Sequence, residues 1–116
     1  EGEILGHVML SRMQVNGHGR SFRALGLAPV AVVPDRQRRG IGSALIEEAL
    51  RRAKDAGEEI VFLVGEPDYY RRFGFSADAA ARFASPYAGP YFMAKAFVDL
   101  PQEGEAAYAP AFAALS

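Results

Sequence analysis

The stretch that most limits what this chain can fold into is Val30–Ala56, reading V-A-V-V-P-D-R-Q-R-R-G-I-G-S-A-L-I-E-E-A-L-R-R-A-K-D-A. A short β-branched run ends at Pro34, and a basic turn with two glycines follows: Gln37-Arg38-Arg39-Gly40-Ile41-Gly42-Ser43. From Ile41 to Ala56 the apolar positions Ile41, Leu45, Ile46, Ala49, Leu50 and Ala53 fall on one stripe. Glu47, Glu48, Arg51, Arg52 and Lys54 fall on the other side, the period of a helix lying on a core. Gly57 is the expected stop, because a left-handed residue after the last turn ends many helices. A strand that feeds a glycine turn into a helix gathers free N–H groups, the positive end of the helix dipole and two or three arginines. That small volume favours an anion, and a phosphorylated ligand is the natural occupant.

The flanking segments extend this unit. Ile4–Val15 alternates as one strand, Asn16-Gly17-His18-Gly19 is a turn signal, and Phe22–Val33 is the next strand, which together predict an antiparallel hairpin. Pro29 lacks an N–H and so marks a bulge or an edge position. Ile60–Val64 is a continuous apolar run of strand length, as expected of a strand buried on both faces. Strand, helix and strand then form a right-handed crossover with the two strands parallel. Pro67–Phe73 predicts a short helix with Pro67 in its first turn and Gly74 as its breaker. Ala77–Ala81 reads as a helical turn, Arg82–Pro86 and Tyr91–Val98 as strands, and Tyr108–Phe112 as a last strand or an ordered tail. No repeat or linker divides the chain, so residues 1–116 are read as one domain.

Composition narrows the class. With 116 residues, half of them hydrophobic, the chain can bury one core. A net charge of −1 offers no global attraction to nucleic acid or an anionic membrane, so neither is expected as a partner and the basic turn is a local feature. The absence of cysteine removes disulfides, thiolate metal sites and cysteine nucleophiles together. His7, on a strand, and His18, in a turn, are the only histidines, and no metal-ligand spacing is present; no metal is expected. No apolar run approaches the roughly 20 residues that span a bilayer, and no secretory leader pattern is visible; a cytoplasmic location is expected. The chain opens Glu-Gly-Glu and its first methionine, Met9, lies inside a strand, so a further segment is expected to precede it.

The glycine turn is not a Walker loop, which would need a lysine, nor a dinucleotide fingerprint, which would need a small residue where Leu45 stands. Gln37-x-x-Gly40-x-Gly42 instead matches the Gln/Arg-x-x-Gly-x-Gly/Ala signature of the GNAT-type N-acetyltransferase superfamily. Ala28-Pro29-Val30-Ala31-Val32-Val33-Pro34 resembles that superfamily's bulged fourth strand. Tyr70-Arg71-Arg72-Phe73-Gly74-Phe75 resembles its Tyr-x-x-x-Gly-Phe segment. Gly65-Glu66-Pro67-Asp68-Tyr69-Tyr70, with Ser85-Pro86-Tyr87 later, is similar to the YhbS-like branch. The likeness runs from Gly2 onward in the expected order.

The resemblance implies an α+β, three-layer fold. Its sheet is mixed and mostly antiparallel, with a splayed pair of central parallel strands (Leu27–Val33 and Ile60–Val64 here) and a long helix after the glycine turn. It implies that the chain starts before the family's third strand and lacks the first strand, two helices and the second strand. The third strand's edge would then be open and need cover from a partner chain, the missing residues or neighbouring molecules in a crystal. A homodimer is compatible with this. The implied activity is acyl-CoA-dependent N-acyl transfer, with acetyl-CoA as co-substrate and a small-molecule or peptide amine as acceptor, by direct attack in a ternary complex. The alternatives are a non-catalytic CoA-binding or regulatory module and a structural fragment without a ligand.

Site residues follow from the same resemblance. The pantetheine arm would pair with the main chain of Ala31, Val32 and Val33, with an amide near Val32 stabilising the oxyanion. The pyrophosphate would rest on amides of Arg38, Arg39, Gly40, Gly42 and Ser43. Gln37 opens the motif, Ile41 lies between the glycines, and the side chains of Arg38 and Arg39 are either ligand contacts or solvated surface. Tyr70, by its spacing to Gly74-Phe75, is the expected acid for the departing thiolate, with Tyr69 as adjacent competitor. A phenol with a pKa of about 10 can protonate a thiolate whose conjugate acid lies near about 8.5. Glu66 is the candidate base, directly or through water, and equally a helix-start carboxylate.

Overall fold

The long hairpin organises the sheet. In a computed structural model, which describes residues 2–5, 8–29 and 39–106, β2 (Val8–Gly17) and β3 (Arg20–Pro29) pair antiparallel along their whole length, from Val8 opposite Pro29 to Gly17 opposite Arg20. Only His18 and Gly19 connect them, with φ of 52° and 73°. Two successive positive φ values make a type I′ turn, whose twist matches that of the strands. Because this turn needs just two residues, β3 starts at Arg20 and not at Phe22. A shorter strand, β1 (Gly2–Leu5), pairs antiparallel with β2, Leu5 opposite Val8. The single strand expected over Ile4–Val15 is therefore two strands that double back. Alternation cannot reveal such a reversal, since both arms carry the same two-residue period.

The helix α1 (Arg39–Asp55) follows, and β4 (Ile60–Val64) returns parallel to β3, pairing Ala24 with Ile60, Leu25 with Val61 and Gly26 with Phe62. Of the stripe expected from the sequence, Ile46, Ala49, Leu50 and Ala53 are buried and Leu45 is partly buried, while the side chain of Ile41 lies outside what the structure describes. The helix stops as predicted. Gly57 has φ of 87°, its N–H donates to Lys54 O at 3.0 Å, and the Glu58 N–H donates to Ala53 O at 3.0 Å. This crossed pair of bonds satisfies carbonyls that the last turn would leave free. The start differs: α1 begins at Arg39, two residues before Ile41, and takes both glycines into its first turns.

The remaining elements are short. α2 (Pro67–Tyr70) runs into a 3-10 turn (Arg71–Phe73) that Gly74 ends. α3 (Ala77–Ala81) is capped by Ser76, whose Oγ accepts from the Ala79 N–H at 3.1 Å. The strands read over Arg82–Pro86 and Tyr91–Val98 contract to β5 (Phe83–Ala84) and β6 (Phe92–Ala96). Ser85 shortens the first by accepting the Tyr87 N–H at 3.1 Å, a side-chain turn that competes with the ladder. β7 (Gly104–Ala106) was not expected, and the segment Tyr108–Phe112 lies outside the described residues.

The sheet order is β5-β7-β2-β3-β4-β6, with β1 also on β2. β1 covers Val8–Ser11 and β7 covers Val15 and Asn16, both on the outer side of β2. The edge expected to need a partner chain is thus covered in large part by the chain's own strands. The sheet buries both faces. Leu27, Val61, Leu63 and Met93 pack under α1. On the other face Phe62 stacks on Phe92 at 5.2 Å and meets Phe83 edge-on at 5.5 Å, with α3 closing the layer. Ile60, Val61 and Phe62 are fully buried, so β4 is covered on both sides as its composition predicts. Each such side chain contributes about 1.5–3 kcal/mol of transfer free energy.

Candidate active site

The two parallel strands part company. Their pairing ends at Gly26 and Phe62, yet both strands continue. β3 runs on through Leu27, Ala28 and Pro29, held by Leu10, Met9 and Val8 of β2. β4 runs on through Leu63 and Val64, held by Met93 and Phe92 of β6. Among the described residues these two ends are not paired with each other. The sheet therefore splits at its centre, and among the described residues the main-chain groups along the facing edges do not satisfy one another. The split lies at the carboxyl ends of the parallel pair, where ligands enter open α/β sheets. Since α1 connects the end of β3 to the start of β4, its N-terminus lies at that same end.

The helix start sharpens one expectation. An α-helix leaves the N–H groups of its first turn without internal partners. With α1 beginning at Arg39, these belong among the described residues to Arg39, Gly40 and Ile41. Ala31, Val32, Val33, Gln37 and Arg38 lie outside the described residues.

Beyond the end of β4 the chain folds back sharply. Glu66 is exposed and precedes α2; its carbonyl accepts the N–H groups of Tyr69 and Tyr70, both at 3.1 Å, while its side chain makes no capping bond. The carboxylate is left facing solvent beside the mouth of the split. Tyr70 turns its ring into the core under α1, against Phe75 at 6.2 Å and the ring of Tyr69 at 4.9 Å. Burial pushes its phenol above the usual tyrosine value, and Tyr69 adds to the shift. The hydroxyl therefore keeps its proton throughout the physiological range. Tyr69 is only half-buried, and the Arg72 guanidinium lies 4.8 Å above its ring. The adjacent tyrosines thus occupy different environments, one in the core and one on its rim.

Lys95 was not singled out from the sequence. Its Nζ donates to Phe73 O at 2.7 Å and so closes the 3-10 turn that follows Tyr70. Nothing local announces this contact, because the partners are 22 residues apart. His18 sits in the β2–β3 turn, at the end of the sheet away from the split, and His7 lies outside the described residues. Among the described residues no group of three or more His, Cys, Asp or Glu is placed to hold a metal ion. Nor is any helix among them long and apolar enough to cross a membrane.

Comparison with known proteins bears on this geometry. The family model described as "Acetyltransferase (GNAT) domain" matches residues 1–77. The uncharacterized N-acetyltransferase YjhQ of Escherichia coli K12 is 34% identical over 91 residues, which is 78% of this chain and 50% of that protein. The uncharacterized N-acetyltransferase YhbS of the same strain is 33% identical over 79 residues, 68% of this chain and 46% of that protein. The chain spans about half the length of the curated relatives it matches. Among solved structures, a GNAT family acetyltransferase from Brucella melitensis in complex with acetyl-CoA aligns with a TM-score of 0.64 at 37% identity, covering 90% of this chain and 58% of that one. E. coli YhbS in complex with CoA aligns with a TM-score of 0.65 at 27% identity, covering 91% and 62%.

Proposed function

Because the chain belongs to the GNAT acetyltransferase family, we propose that it passes the acetyl group of acetyl-CoA to a primary amine by direct attack in a ternary complex. The parting of β3 and β4 carries this reading. A split with unpaired main-chain edges fits a ligand that is itself a chain of amides, and the pantetheine arm of CoA is one. It would lie against the end of β3 and on through Ala31–Val33, pairing as a surrogate strand. The pyrophosphate would meet Arg39, Gly40 and Ile41 at the helix start, with Gln37 and Arg38 ahead of them and Gly42 and Ser43 behind. The acetyl-CoA and CoA bound to the two solved relatives support the same ligand.

In the reaction the amine nitrogen bonds to the thioester carbon and the carbon–sulfur bond breaks. The proton lost by the amine goes to Glu66, directly or through a water. The thiolate receives its proton from the Tyr70 hydroxyl, which burial keeps neutral.

The test is release of CoA thiol across a panel of small amines and peptides, with CoA affinity measured separately. Tyr70→Phe is expected to lower turnover by about tenfold or more while CoA affinity stays within about twofold. Undiminished turnover would remove Tyr70 from the reaction. CoA binding without turnover on any amine would mark a non-catalytic CoA-holding module instead.

A further inference from the structure

We propose that Gly65 is a positioning residue for Tyr70: the absence of a side chain just past β4 is what lets the tyrosine ring pack back against the end of that strand. This rests on the role given to Tyr70 above. A Cβ built on Gly65 would come to 2.5 Å from Cε2 and 2.9 Å from Cδ2 of Tyr70, with Leu63 Cδ1 at 3.3 Å. The ring edge therefore lies directly over the Gly65 backbone. Gly65 is not among the glycines with positive φ, so an alanine there meets no conformational penalty of its own. The main obstacle is the ring; Leu63 Cδ1 would need to give only by a few tenths of an ångström.

Neither party can yield cheaply. The Gly65 N–H donates to Tyr91 O at 2.9 Å, which ties this point of the chain to the segment before β6. Glu66 O holds the N–H groups of Tyr69 and Tyr70, fixing the return path of the loop. Phe73 and Phe75 flank the ring on its other sides. A rigid aromatic in such a seat moves as a body, so a single methyl group at residue 65 shifts the hydroxyl that the reaction uses. Displacements of this size at a reacting group cost up to about a hundredfold in rate.

The experiment uses Gly65→Ala in the full chain, alone and combined with Tyr70→Phe and Tyr70→Ala. Gly65→Ala alone should lower kcat at least about tenfold with the KM for acetyl-CoA changed less than about twofold. Added to Tyr70→Phe, which has already lost the hydroxyl, it should lower kcat little further. Equal losses in both backgrounds would overturn the inference. A second readout does not depend on catalysis. With ring-labelled tyrosine, the Tyr70 carbon signal followed against pH should titrate lower in Gly65→Ala than in the parent, because the ring has left its buried seat. An unchanged titration also overturns the inference. Should Gly65→Ala fold poorly, thermal melting decides: the destabilisation must vanish when Tyr70→Ala removes the ring, and its persistence sinks the idea. Wild-type turnover in Tyr70→Phe would instead count against the proposed acid, while the titration and melting results would still stand or fall by themselves.

Discussion

At the scale of single residues, Tyr70 couples the site to stability. Burial raises its pKa in the folded chain, so the fold favours the neutral phenol. Below the unfolded value of about 10 both states are protonated and the contribution is complete. As pH rises past that value the unfolded chain sheds a proton that the folded chain keeps, and stability falls until the folded group ionises too. Urea unfolding at pH 8 and pH 11 should therefore show a smaller alkaline loss in Tyr70→Phe than in the parent. The position of Tyr70 was legible from its spacing to Gly74 and Phe75. That of Glu58 was not. Its buried carboxylate takes both arms of the Arg12 guanidinium, at 2.6 and 2.8 Å, and Arg23 at 3.0 Å, from residues more than thirty positions away. Both arginines are about half exposed, which moderates the value of the cluster. Glu58→Gln should still lower the unfolding free energy by about 1–3 kcal/mol, since an amide has one oxygen and no charge to accept the bonds from Arg12 and Arg23.

Among the elements, α1 and β4 could be read because each carries its own periodicity, and β4 keeps the predicted bounds Ile60–Val64. The C-terminus of α1 could be read from Gly57 alone. No atom lies within 4 Å of a Cβ built there, so only the backbone conformation resists substitution. Gly57→Ala should cost about 1–2 kcal/mol, seen as a lower urea midpoint with an unchanged slope. The helix start was harder, because glycines that suit a turn can also occupy a first helical turn. Short strands were hardest. β5 and β7 have two and three residues, and their pairing of Phe83 with Gly104 joins segments that no local pattern relates.

For the molecule as a whole, the decisive feature is where pairing stops between β3 and β4. No periodicity encodes it, since Leu27 and Leu63 look like any strand residue; the likeness to a known family supplied the expectation. The energetic consequence is measurable. A ligand that fills the split binds the folded chain and not the unfolded one, so CoA at a hundred times its Kd should add about 2.7 kcal/mol to stability and raise the melting temperature. No shift at that concentration would point to a scaffold that binds nothing there.

A second global feature concerns β2. Two segments from remote parts of the chain, Gly2–Leu5 and Gly104–Ala106, are moored to the same margin of one strand, at its opposite halves. Lengthening either ladder in the direction of the other leads to Arg12, Met13 and Gln14. The two are rivals for that short interval, so each sets a ceiling on how far the other can grow along β2.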